Sequence, residues 1–175
     1  MALIYIILLG DFMNKQKLFI GLFVLIIDQV LKGIIETLDK SYVIIGKVLS
    51  IKYTTNTGAA FSLFENNTFL LILVSLFILV LVYNVSFSFK SDKLTNFTFG
   101  ILYGGILGNL IDRVIYGYVR DFISVGNFPV FNIADSAIVI GIILLIIISI
   151  KGEFLKKGVE NDEDKSRRRN KRKDR

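Results

Sequence analysis

The sequence predicts an all-α membrane protein: a four-transmembrane-helix bundle with a small extracytoplasmic β/loop cap. Three observations lead there. The 175 residues are 53% hydrophobic, with a mean hydropathy of +0.62, above the roughly 45–50% of soluble domains. The apolar residues are gathered into four stretches, Leu18–Ile35, Phe69–Phe89, Phe97–Ile115 and Phe131–Ile150. Each approaches the roughly 20 residues that cross a bilayer. Lys and Arg fall beside these stretches in an alternating way that sets one orientation.

The elements follow in order. Ala2–Leu9 is apolar but too short to span, and Met13-Asn14-Lys15-Gln16-Lys17 reads as a natural start with a basic leader. Residues 1–12 are therefore taken as an upstream overcall. A cleaved signal peptide is the rival, but Asp28 and Lys32 interrupt its apolar core and no small-x-small cleavage site follows. Lys15 and Lys17 precede the first helix, Lys90 and Lys93 lie between the second and third, and a basic tail follows the fourth. All three stretches lie on one side of a four-span topology, which places both termini in the cytoplasm. The segments Glu36–Thr68 and Tyr116–Val130 then face outward. Residues 1–150 form one domain. The tail from Lys151 to Arg175 holds 11 of the 21 Lys and Arg residues and reads as a disordered topology anchor rather than a lipid or nucleic-acid site.

With no Cys and no His, thiol nucleophiles, His-based triads and Cys/His zinc sites are excluded. Any catalysis must come from other side chains. Charged groups inside a membrane helix cost free energy and ask for a reason. Asp28 and Lys32 lie four apart on one face of the first helix. Asn109, Asp112 and Arg113 share a face of the third, and Asn132 and Asp135 open the fourth. In the topology above all of them lie in the outer halves of their helices. Salt bridges that orient the bundle explain Asp28, Lys32, Asp112 and Arg113 as well as function does. They do not explain Asp121 and Asp135, because Arg113 and Arg120 are too few to neutralise Asp112, Asp121 and Asp135 together.

Val119–Val125 alternates weakly, and Gly126-Asn127 is a turn pair followed by Phe128-Pro129-Val130-Phe131. A two-residue turn pairs Val125 with Phe128 and Asp121 with Asn132. That register brings Asp121 to Asp135 at the membrane edge. Two carboxylates in a low-dielectric site share one proton, the arrangement an aspartic protease needs: one activates water while the other polarises the carbonyl. No metal or cofactor is required. Gly104 and Gly108 have a small-xxx-small spacing that suits close helix packing or a groove held open for substrate. Ile51–Thr55 reads as a short strand leading to Asn56-Thr57-Gly58-Ala59-Ala60-Phe61. A transporter is disfavoured because the inner halves, such as Ile138–Ile150, are almost wholly apolar. A non-enzymatic structural partner would tolerate Asp121→Asn.

Five segments in this order resemble lipoprotein signal peptidase, the bacterial signal peptidase II family of intramembrane aspartyl peptidases. They are Asp28-Gln29-Val30-Leu31-Lys32, Asn56-Thr57-Gly58-Ala59-Ala60-Phe61, Gly104 through Arg113, Gly117-Tyr118-Val119-Arg120-Asp121-Phe122-Ile123, and Phe131-Asn132-Ile133-Ala134-Asp135. The resemblance implies Asp121 and Asp135 as the catalytic pair. It implies that Asn56, Asn109, Arg113 and Asn132 line the site, and that Asp28, Lys32 and Asp112 support its shape. The implied substrate is a prolipoprotein whose lipobox cysteine carries a diacylglyceryl group, cut just before that cysteine. Membrane lipid and globomycin-type cyclic-peptide inhibitors are the other implied partners. No nucleic acid is expected, and a monomer is the expected state. The outer segment Glu36–Thr68 is expected to cover the site as a mobile lid.

Overall fold

The computed structural model describes residues 14–38, 41–46, 48–58 and 64–152. The readings of residues 1–12 and of the tail beyond Gly152 lie outside these residues. Helices α1 (Lys15–Glu36), α2 (Thr68–Ser86), α3 (Lys93–Tyr116) and α4 (Ile133–Gly152) are each long and apolar enough to cross a membrane. Each begins or ends within about four residues of the stretch read from hydropathy. Three antiparallel strands, β1 (Tyr42–Ile45), β2 (Leu49–Asn56) and β3 (Val119–Val125), form a sheet in the order β1-β2-β3. The expected four-helix architecture with a small β cap is what the chain adopts.

Helix α3 is the axis of the bundle. In its span 78% of the residues are buried, against 22%, 11% and 17% in α1, α2 and α4. It is also the least apolar of the four. Lipid solvates Leu and Ile as well as a protein interior does, so the buried helix is chosen by small residues that allow close approach. On the α1 side, a Cβ on Gly104 would stand 2.6 Å from the Gly21 carbonyl oxygen, and one on Gly100 would stand 2.8 Å from Ile20 Cβ. On the α4 side, a Cβ on Gly105 would stand 2.6 Å from the Ala134 carbonyl oxygen. Close packing is thus one use of the glycine spacing. Helix α2 joins through Leu79 against Phe99, Leu102, Tyr103 and Ile106.

Helix ends are capped as their sequences demand. Asn14, Asn67 and Asp92 accept backbone N–H bonds in the first turns of α1, α2 and α3. Gly117, with φ of 82°, ends α3 in the left-handed conformation and turns the chain directly into β3.

The hairpin register expected for β3 is not the one found. The main partner of β3 is β2, with Thr54 opposite Asp121 and Asn56 opposite Val119. The return segment meets β3 only at a bridge between Ile123 and Phe131, one residue out of the expected register. The turn closes as anticipated, with Phe128 N–H donating to the Val125 carbonyl over 2.9 Å. Pro129 then has no N–H to continue the ladder, and the chain slips. Strand β1, absent from the sequence-based expectation, pairs with the first residues of β2 and is apolar on both exposed faces.

The α1/α3 contact supplies a test. Gly104→Val should destabilise the bundle by about 1–3 kcal/mol through overpacking, read as a lowered melting temperature in detergent. Gly33→Ala, where a Cβ meets nothing within 4 Å, should melt at or above the parent temperature.

Candidate active site

The residues singled out from sequence gather at one end of the bundle, where α1 and α3 end, α4 begins and the sheet rests. On α1 the buried positions Lys17, Gly21, Asp28, Lys32 and Ile35 follow the helical period. They turn one stripe, partly charged, toward α3. Lys32 Nζ lies 2.7 Å from Asp28 Oδ2 and 3.2 Å from Asp112 Oδ2, with all three side chains fully buried. Asp112 pairs not with Arg113 but with Lys32 and with Arg120, whose Nη2 stands 2.8 Å from Asp112 Oδ1. Arg120 also binds Glu36 Oε2 at 3.0 Å, and its guanidinium lies 4.3 Å from the centre of the Tyr116 ring. The two carboxylates hold Arg120 firmly protonated against the opposing effect of burial.

This clamp orients β3. Arg120 faces the helices, so the alternation of a strand turns Asp121 to the opposite face. Asp121 is 2% exposed. Asn56, diagonal to it across the sheet, donates from Nδ2 to Asp121 Oδ2 over 3.0 Å. Asn132 Nδ2 donates to Asp121 Oδ1 over 2.6 Å.

Asp135 is held by the start of α4. Asn132 and Asp135 form a reciprocal capping box. Asp135 N–H donates to Asn132 Oδ1 over 2.8 Å, and Asn132 N–H donates to Asp135 Oδ2 over 3.1 Å. A further first-turn donor, Ala134 N–H, is satisfied from α1 by Asp28 Oδ1 at 2.9 Å. Asn109 on α3 donates from Nδ2 to Asp135 Oδ1 over 2.7 Å. Asn132 therefore touches both aspartates, although the strand register that suggested their approach is not formed.

Both aspartates line one cavity of about 710 Å³. Thr54 through Gly58 of the β2 end form one wall with Asn109 and Arg113, and Phe128 through Phe131 with Ile138, Val139 and Ile140 form another. Arg113 donates from Nη2 to the Gly58 carbonyl over 3.1 Å, and its buried Nε has no partner among the described residues. Neither aspartate forms an ion pair among the described residues. Burial, and next the charge of Asp135, push the Asp121 carboxyl up to about 7, although Asn56 and Asn132 pull it down.

Every residue expected in or around the site is accounted for. Asn56, Asn109, Arg113, Asp121 and Asp135 line the cavity, and Asn132 lies buried behind them. Asp28, Lys32 and Asp112 form the layer beneath. Gly108 sits where a Cβ would stand 2.6 Å from Asp28 Oδ2. Gly104 lies farther along α3, in the α1 contact. Sequence reasoning did not single out Gln29 or Glu36 for a role. Gln29 Nε2 donates to Asp28, Asp112 and the Gly108 carbonyl, and its Oε1 accepts from Arg120. Its place between Asp28 and Lys32 in the first motif was the available signal.

The fold and site define a polytopic membrane protein with two hydrogen-bonded carboxylates, one buried and one half-buried, facing one cavity. Comparison with known proteins gives the family. The signal peptidase (SPase) II family matches this chain over residues 20–151. A lipoprotein signal peptidase of Caldicellulosiruptor bescii is 38% identical over 138 residues, covering 75% of this chain and 91% of that protein. A bacterial membrane enzyme solved by the in meso method at 2.3 Å resolution superposes with a TM-score of 0.70 at 36% identity, covering 77% of this chain and 87% of the other. Another, solved at 1.9 Å, gives 0.66 at 38% identity, covering 75% and 90%. The chain belongs to the signal peptidase II family.

The layer beneath the site predicts a stability effect. Asp28→Ala removes one anion from Lys32 and leaves the Ala134 N–H without its acceptor. Breaking a buried pair in this way should cost roughly 3–5 kcal/mol. Thermal melting in detergent reads it, and an unchanged melting temperature would contradict the role given to Asp28.

Proposed function

We propose that this chain is an integral-membrane aspartic endopeptidase that removes the signal peptide from diacylglyceryl-modified prolipoproteins, cutting just before the lipidated cysteine. The observation that carries the reading is the shared cavity of Asp121 and Asp135, bridged by Asn132, with no ion pair to either aspartate among the described residues. Such a pair retains a single proton. The ionised aspartate takes a proton from water as the water oxygen attacks the scissile carbonyl carbon. The protonated one donates to the carbonyl oxygen, so the tetrahedral intermediate carries no full charge. The C–N bond then breaks. The amide nitrogen, now the cysteine amine, leaves with a proton from the aspartate that accepted one from water, and the other aspartate is reprotonated as the carbonyl reforms. No metal or cofactor enters these steps.

The surroundings support the substrate. Asn56, Asn109, Arg113 and Asn132 offer donors to substrate carbonyls or hold the aspartates in place. Val139 and Ile140 are exposed on the surface of α4, so the apolar wall of the cavity continues onto a helix face suited to lipid. Signal helix and acyl chains binding there would supply affinity away from the scissile bond and help position it. Lys15, Lys17, Lys90, Lys93 and Lys151 flank the other ends of the helices, which under the positive-inside rule supports cytoplasmic termini and a cavity near the outer face. Strands β1 and β2, which lie between α1 and α2, would act as a mobile cover. Globomycin-type peptides would compete for the same cavity, and a monomer suffices for the chemistry.

The test is cleavage of a lipidated prolipoprotein in detergent or lipid, with its unlipidated form as control. Wild type should cut only the lipidated form. Asp121→Asn and Asp135→Asn should each abolish cutting while the protein still inserts and folds. Turnover in either clean variant would sink the dyad. The pH profile should be bell-shaped. Because Asp121 is raised to about 7, the pair holds its working proton below that pH and loses it above. Activity should therefore fall as pH rises through about 7. It should fall again in acid, where a second proton is taken up. A flat profile from about pH 4 to 9 would contradict a shared proton.

A further inference from the structure

We infer that Lys32 is a positioning residue of the reaction: it fixes the side-chain amide of Asn109 so that its N–H face points at Asp135. The inference rests on the proposed dyad and concerns how one member is held. Lys32 is fully buried. It is not among the residues that line the cavity.

An ammonium group has three donors and no acceptor. Those of Lys32 are matched by three acceptors: Asp28 Oδ2 at 2.7 Å, Asp112 Oδ2 at 3.2 Å and Asn109 Oδ1 at 3.1 Å. A salt bridge that merely oriented α1 would need only a carboxylate. The third contact reaches a neutral amide on α3. Asn109 Oδ1 also accepts from Asn132 Nδ2 over 3.0 Å. With its carbonyl claimed from two directions, Asn109 is left to present Nδ2 to Asp135 Oδ1, 2.7 Å away. Rotating the amide by half a turn would set its NH2 against the ammonium and against the Asn132 NH2. It would also set its carbonyl against a carboxylate. Lys32 thus stabilises the one orientation in which Asn109 supports the anionic form of Asp135.

Two positions explain why this role falls to a lysine at one remove. A cation touching Asp135 directly would strongly favour ionisation and work against the shared proton. Passed through the amide of Asn109, the positive charge orients a donor without contacting the pair.

The experiment is a double-mutant cycle with steady-state kinetics on the full-length enzyme in detergent. Lys32→Met keeps the length of the chain and removes the ammonium. Asp28 retains Ala134 N–H and Gln29, and Asp112 retains Arg120 and Gln29. Misplacing Asp135 should lower kcat by about 100-fold, with KM for the lipidated substrate within about twofold because Lys32 does not line the cavity. Asn109→Ala should lower kcat comparably. The double variant should be no slower than Asn109→Ala alone, because the second change then has nothing left to disturb. Independent, multiplying losses would overturn the inference. So would a Lys32→Met enzyme with unchanged kcat. If Lys32→Met does not fold, the charge-balanced pair Asp28→Asn with Lys32→Met takes its place in the same cycle. The same two criteria then apply, with Asp28→Asn alone as its reference. Turnover retained by Asp135→Asn would overturn the dyad reading itself, a result separable from either outcome of the cycle.

Discussion

A line of alternating charge, exposed at Glu36 and buried from Arg120 onward, determines the sheet-bearing end of this molecule: Glu36, Arg120, Asp112, Lys32 and Asp28, each within 3.2 Å of the next. Ions this deep are tolerated only when every neighbour is an opposite charge or a donor. The line satisfies that rule by joining four segments, β3, α1, α3 and, through the Ala134 N–H, α4. Its two ends set the two aspartates. At one end, clamping Arg120 against the helices turns Asp121 the other way. At the other, Asp28 fastens the first turn of α4, three residues into which Asp135 lies. A network without direct contact with either carboxylate therefore fixes the relation between them.

The dyad is treated differently from this network. Asp28 and Asp112 have a cation against them, whereas Asp121 and Asp135 are bounded by the amides of Asn56, Asn109 and Asn132. An amide satisfies a carboxylate oxygen without contributing full charge. The two aspartates are consequently held in place but not neutralised, and burial with mutual repulsion raises the Asp121 carboxyl. Cations surround them at one remove: Lys32 behind Asn109, Arg120 turned away beside Asp121, and Arg113 reaching to Gly58.

Much of this was legible in the sequence because membrane burial is an unforgiving filter. Four apolar stretches sufficed for the helices, and the few polar residues inside them, Asp28, Lys32, Asn109, Asp112 and Asp135, stood out against that background. The cap was less legible. Strand β1, Tyr42–Ile45, is apolar without alternation, so no period marks it as a strand. The partnership of β2 with β3 spans more than 60 residues and leaves no local signature. The hairpin drawn from Gly126-Asn127 was a local inference, and Pro129 defeated it after one bond. The approach of Asp121 to Asn132 was still correctly anticipated, for a different reason: helix capping brings the Asn132 amide where strand pairing was expected to.

The glycines of α3 show why packing and function were hard to separate from sequence alone. Gly104 and Gly108 share one spacing and read as one motif, yet they meet different things. At Gly104 the space is filled by the Gly21 backbone and Val24, which is helix packing. At Gly108 it is filled by the carboxylate of Asp28, on its way to the start of α4. A methyl group at Gly108 would push Asp28 from the Ala134 N–H and loosen the turn that carries Asp135. Close packing at that point is itself a condition of the site geometry. Neither glycine lines the cavity, so the spacing holds no groove open for substrate; it is a packing constraint, met by backbone at one turn and by a buried charge at the next.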